Sequence, residues 1–243
     1  MARDRRVRPV TVLGRRKEAK LNHHRNAVRV SVCALAIVCV AALQSCTIVG
    51  FMFMAAEEYK KSGDHIEKAE YSGLVDNNFA VIVTADRLIQ ASYPEIVPQM
   101  TTSMSQRLAE NVDAQGYVPG MATLSYQYNH PSWSSKSYGE VATELGVERL
   151  IVIDIQEFRL NDPGNRHIWD GSAAATIAVI EADGPFPDDI SHEHFVHVTF
   201  PDAGGYGPDD LSRHQMISVL KSRFINRASW PFYDAKIPND LNY

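Results

Sequence analysis

Glu140-Val141-Ala142-Thr143-Glu144-Leu145-Gly146-Val147-Glu148-Arg149-Leu150-Ile151-Val152-Ile153-Asp154-Ile155 is the stretch on which the fold turns. Tyr138, Val141, Ala142 and Leu145 recur at helical spacing, which predicts a short helix with these residues toward a core. Gly146 stands where a C-terminal cap takes a residue able to adopt positive φ. Leu150 to Ile155 is then apolar almost throughout, as a strand covered on both faces must be. A helix, a glycine stop and a buried strand within sixteen residues is the joint of an α/β sheet.

Working toward the N-terminus, Leu124, Tyr126 and Tyr128 alternate with Ser125 and Gln127, which predicts a strand before the turn at Asn129-His130-Pro131. Ile96, Val97, Met100, Met104, Leu108 and Val112 step by three and four, marking a core-facing helix between Pro94 and Val112. Phe79-Ala80-Val81-Ile82-Val83-Thr84 reads as the first buried strand. Residues 46–78 are read as anchor and tether; from Glu57 to Asn78 they are polar, with room for one short helix.

Toward the C-terminus, the turn-rich Asn161–Asn165 leads to two strand-like segments, Trp169–Glu181 and His192–Phe200, expected to form an antiparallel pair. Asp209 or Asp210 is placed to cap a last helix with Leu211, Met216, Val219, Leu220 and Phe224 on its apolar stripe. The expected fold is a single α/β (α+β) domain over residues 79–235, a mixed sheet in the order β-α-β-α-β-β-β-α, with residues 236–243 as a tail.

Residues 1–45 read as a signal peptide and stand outside the fold. The basic n-region, 1–29, precedes an apolar h-region, Val30 to Leu43, broken only by Ser31. Its length admits a translation start further on, at Leu21 or Val28. Residues 1–30 hold ten Lys and Arg against two Asp and Glu, so the net charge of −5 leaves about −13 for the remainder. An acidic body argues against nucleic acid as a partner, because phosphate backbones demand clustered cations. Cys33, Cys39 and Cys46 all lie in or beside the apolar segment, so the body has no disulfide and no thiolate site.

Leu43-Gln44-Ser45-Cys46 resembles the bacterial lipobox. The resemblance implies cleavage between Ser45 and Cys46, diacylglyceryl transfer to the Cys46 thiol, and acylation of the new amino terminus with a chain such as palmitate; two or three chains hold a protein on a bilayer stably. The rival is an uncleaved signal-anchor helix continuing through Ile48–Ala56. Under both readings the basic N-terminus stays in the cytoplasm and the body lies outside it. Thr47 in place of Asp after the cysteine permits outer-membrane sorting by resemblance to the enterobacterial rule, and the choice of membrane stays open.

The opening strand and the helix-glycine-strand joint together resemble the curli-secretion lipoprotein and TolB amino-terminal-domain kind of envelope protein, and more specifically uncharacterised lipoproteins of planctomycete-type bacteria, over about residues 43–233. The long membrane-spanning hairpins of the curli lipoprotein and the β-propeller of TolB are not found in the sequence, so neither pore formation nor TolB's contacts are implied.

His192, Glu193, His194 and His197 are the densest set of candidate ligands. A zincin needs His-Glu-x-x-His on a helix; here position 196 is Val and the segment reads as strand, so only His192 and His194 share a face. A third ligand would have to come from elsewhere, such as Asp188 or Asp189. Gly204-Gly205-Tyr206-Gly207 lacks the Lys-Ser/Thr ending of a phosphate loop, and no Gly-x-Ser-x-Gly occurs. Asp86 and Arg87 follow the first strand, where open α/β sheets bind ligands, and also suit a helix start. Tyr126, Tyr128, His130, Trp133 and Tyr138 suit an interface and a core equally. No catalytic residue, cofactor or metal is assigned. The expectation is a non-enzymatic envelope lipoprotein that meets the bilayer through acylated Cys46 and binds another envelope protein or itself; the alternative is an anchored enzyme or metal-binding protein using the His192/His194/His197 strand.

Overall fold

A computed structural model describes residues 64–165 and 167–238. The lipobox, with Ser45 and Cys46, and the signal segment lie outside the described residues.

The central sheet has five strands in the order β3-β2-β4-β5-β6. These are β2 (Asn78–Ala85), β3 (Gly116–Tyr117), β4 (Arg149–Arg159), β5 (Gly171–Glu181) and β6 (Ile190–Phe200). β2 runs parallel to β3 and β4, while β4/β5 and β5/β6 are antiparallel. The helices are α1 (Arg87–Ser92), α2 (Ile96–Asn111), α3 (Gly120–Asn129), α4 (Tyr138–Leu145) and α5 (Arg213–Ser229). A two-stranded ribbon joins β1 (Asp64–Glu67) to β7 (Ala235–Pro238), antiparallel. The fold is the expected mixed α/β arrangement.

Both faces of β2 and β4 are covered, which is why their sequences are continuous apolar runs rather than alternating ones. Phe79, Val81, Val83, Ile151, Ile153 and Ile155 pack with Met100, Met104 and Leu108 of α2 and Met216, Leu220 and Phe224 of α5. Ala80, Ile82, Leu150 and Val152 face the other way, against Tyr126 of α3 and Val141 and Ala142 of α4. Gly146 closes α4 in the left-handed region, φ 71°, and its N–H donates back to Thr143 at 3.1 Å. Only glycine adopts that conformation without steric cost.

Four expectations need correcting. The segment with Leu124, Tyr126 and Tyr128 is helix α3, not a strand. Its buried residues are Gly120, Thr123 and Tyr126, three apart, whereas Tyr128 is 86% exposed. Gly120 is held against α2 so closely that a Cβ there would meet the Thr102 Cα at 2.6 Å. The strand beside β2 is instead the two-residue β3, and the order is no longer a strict β-α-β-α-β.

Tyr138 is exposed, while Val141 and Ala142 are buried. The cap of α5 is Ser212, in a capping box with Gln215, because Asp210 turns back to accept from the Gly207 N–H at 2.9 Å. Finally, residues 64–78 contain no helix. They form β1 and then a strap that buries Tyr71 and Leu74 in the core, with the Glu70 and Tyr71 N–H groups both donating to the Pro231 carbonyl at 2.8 and 2.9 Å. No helix among the described residues is long and apolar enough to cross a membrane.

Candidate functional site

β6 carries the histidines and is the outer strand of the sheet. Strand alternation puts His192 and His194 on the face of the buried Val196 and Val198, and turns His197 to the other side. The three therefore do not converge. His197 Nε2 lies 3.1 Å from the Ser172 Oγ on β5. Among the described residues no group of three or more His, Cys, Asp or Glu side chains is placed to share an ion. Asp188, considered as a further ligand, instead accepts from the Gly139 N–H at 2.9 Å; the Ser137 hydroxyl first, and then that backbone contact, hold its carboxyl below the usual range.

The partners of His192 and His194 come from the strap, which sequence reasoning missed. Tyr71 stacks on His192, ring centroids 5.4 Å apart, and donates its hydroxyl proton to Glu181 at 2.8 Å. Burial, reinforced by that carboxylate, raises the Tyr71 pKa well above the ordinary phenol value. His194 Nδ1 lies 3.1 Å from a Glu70 carboxylate oxygen. Arg149 donates to the Gly73 carbonyl at 2.9 Å and ion-pairs with Asp183, stapling the strap to the start of β4. The Nε2 atoms of both His192 and His194 are buried without a hydrogen-bond partner. The signal available in the sequence was Tyr71 and Leu74, which with Ile66, Ala69 and Val75 are the apolar residues of a mostly polar stretch.

The opposite face of β6 is open. Ser191 is the extra residue where the β5/β6 register shifts, its hydroxyl donating to the Val179 carbonyl at 2.9 Å. That bulge brings Ile190 onto the same side as Glu193, Phe195 and His197. Ile190 and Phe195 are 48% and 60% exposed, and Phe186 in the preceding hairpin is 69% exposed.

The aromatic stretch divides between core and surface. Tyr126 is buried and donates to Glu144 at 2.7 Å; its pKa is pushed up to about 12 by burial and then by that carboxylate. Tyr128 points outward, Trp133 is half-buried, and His130 lies against Tyr126, ring centroids 4.7 Å apart. Asp86 is a helix start: its side chain caps α1, accepting from the Leu88 N–H at 3.0 Å, and Arg87 is exposed. Gly204–Gly207 is part of the connection from β6 to α5, with Gly205 at φ 100°.

Fold and surface define an α/β domain whose sheet ends, among the described residues, on β6, with a strap-covered histidine pair on that strand. No family model matches the chain, and no curated protein matches it. Among solved structures it is similar to a PelC dodecamer from Paraburkholderia phytofirmans, at 12% identity and a TM-score of 0.42, over 70% of this chain and 97% of that one. It is also similar to lipoprotein GNA1162 from Neisseria meningitidis, at 9% identity and a TM-score of 0.40, over 63% and 97% of the two chains.

Proposed function

We propose that the chain is an envelope lipoprotein, cleaved between Ser45 and Cys46 and held on the bilayer by acylated Cys46. Its α/β domain is a non-enzymatic module that binds another envelope protein or a second copy of itself. The observation that carries the anchor is the register of Leu43-Gln44-Ser45-Cys46 directly after the apolar run from Val30. Support for the binding role comes from β6, an edge strand with Ile190 and Phe195 exposed on its outer face.

Intact mass spectrometry of detergent-extracted protein tests the anchor. The expected mature chain starts at Cys46 with added acyl mass; an unmodified peptide running through Leu43–Cys46 would mean a signal-anchor helix instead. For the module, an envelope protein or second copy is expected to co-purify at fixed ratio and to be lost on Phe195→Asp, a change at an exposed position. Retention of the partner in that variant would move the interface away from β6.

A second reading has one observation in its favour, the paired Nε2 atoms of His192 and His194 buried without partners. Two imidazoles on alternate positions of a strand, one with a carboxylate on its Nδ1, are a partial site for a divalent transition metal. Stoichiometric zinc uptake by metal-stripped protein, abolished by His192→Ala with His194→Ala, would favour it over the purely structural role.

A further inference from the structure

The geometry points to a binding site for a small organic phosphate monoester in the groove between α2 and α5, at their N-terminal ends. The two helices run side by side in the same direction, since Lys221 donates to Gln99 at 2.6 Å and Arg107 to Asn226 at 2.6 Å further along. Both therefore direct the positive ends of their peptide dipoles to the same place. That place is a cavity of about 390 Å³, with Tyr93, Glu95, Gln99, Arg213, His214 and Lys221 in its wall. Tyr93 in its wall packs edge-on against Phe158 near the end of β4, ring centroids 4.9 Å apart.

The charge pattern marks this groove in an acidic domain. Among the described residues, seven of the eleven Lys and Arg side chains have a carboxylate within 4.0 Å: Lys68, Lys136, Arg149, Arg159, Arg223, Arg227 and Lys236. Of the four that do not, Arg213 and Lys221 line the cavity, Arg107 lines its continuation down the groove, and Arg87 lies outside both. Helix α5 contains no carboxylate along its whole length, and it opens with Arg213 and His214, cations at the end where the helix dipole disfavours them. Helix α2 starts from Glu95 at its N-cap, whose side chain makes no cap hydrogen bond.

Both side chains meet partners in the wall, Arg213 at an exposed position and Lys221 at a half-buried one. The Arg213 guanidinium lies over the Tyr93 ring, 5.1 Å from its centroid, and the Lys221 ammonium is fixed by Gln99. Glu95 is the one carboxylate in the wall. Arg213, Lys221 and two helix ends against that single negative charge suit a dianion better than a carboxylate. Ile96 and Ile217 add apolar wall beside the cations, which a bare inorganic ion would leave wet.

Calorimetric titration of the full chain in detergent, with glycerol 3-phosphate and inorganic phosphate as probes, tests this. Saturable binding of glycerol 3-phosphate is expected, tighter than that of inorganic phosphate. Arg213→Ala with Lys221→Ala should weaken it by about tenfold or more, as loss of charge-assisted hydrogen bonds implies. Glu95→Gln should tighten it, and Arg87→Ala should leave it unchanged. Repeating the titration with dihexanoyl phosphatidic acid separates the sources: tighter binding assigns a lipid headgroup, equal binding a free ester. The proposal is overturned if neither glycerol 3-phosphate nor inorganic phosphate binds saturably, or if the double variant, with unchanged thermal midpoint, binds as the parent does. An equal loss in Arg87→Ala would likewise overturn it, as diffuse charge attraction.

Discussion

Tyr126 and Gly146 show how much a single position can carry. Tyr126 keeps its proton to about pH 12 in the folded chain because burial and the Glu144 carboxylate both oppose the phenolate. Its folded pKa is raised above the ordinary value of 10.0, so the stability it contributes is complete below pH 10 and is lost as pH rises toward 12. Denaturant midpoints measured from pH 9 to 12 should therefore fall more steeply for the parent than for Tyr126→Phe. A parallel fall would remove Tyr126 from the account. Asp202 has the opposite sign: the Arg223 guanidinium, bonded to both its oxygens at 2.6 and 2.5 Å, lowers its pKa, so its contribution is lost on acidification below the usual carboxylate range. At Gly146, where φ is 71°, Ala should cost about 1 kcal/mol in chemical denaturation. That glycine was legible from the chain, because its position after an apolar helical stripe has few other uses. The exposure of Tyr138, at the start of the same helix, was not legible, since a tyrosine satisfies helical spacing whether or not anything covers it.

Among the elements, β2, α2, α4 and β4 to β6 follow from periodicity alone, whereas α3 does not. Leu124, Tyr126 and Tyr128 alternate as strand residues do, but the same ten residues also place Gly120, Thr123 and Tyr126 on one helical face. The choice is made by α2, whose backbone Gly120 touches. Gly120→Ala should therefore destabilise the domain, a loss visible as a lowered thermal midpoint, although Ala favours helices in isolation. The start of α5 was misplaced for a related reason: Asp209 or Asp210 was the expected cap, but the Gly207–Asp210 turn engages Asp210 and Ser212 takes the cap. Ser212→Ala is expected to cost about 1 kcal/mol, and Asp209→Ala close to nothing, by the same measurement.

At the scale of the whole molecule, the strap from Asp64 to Asn78 changes the reading most. Polar sequence of this kind reads as tether, yet β1 pairs with β7 and Leu74 is fully buried. Leu74→Ala should cost about 2–5 kcal/mol as a core truncation, where truncation in a tether would cost nothing, and equilibrium unfolding decides between them. Sequence by itself determined the fold class, the buried strands β2 and β4, the β5/β6 hairpin and the separation of an acidic body from a basic N-terminal stretch. These rest on local periodicity, on steric rules for glycine and on composition. Only tertiary structure decided that α3 is a helix, that the strap closes over His192 and His194, and that cations with no carboxylate within 4.0 Å gather between α2 and α5. The physical reason is that each of these depends on groups far apart in the chain, such as Tyr71 with Glu181 or Gln99 with Lys221, and a contact between distant residues leaves no period in the sequence of either.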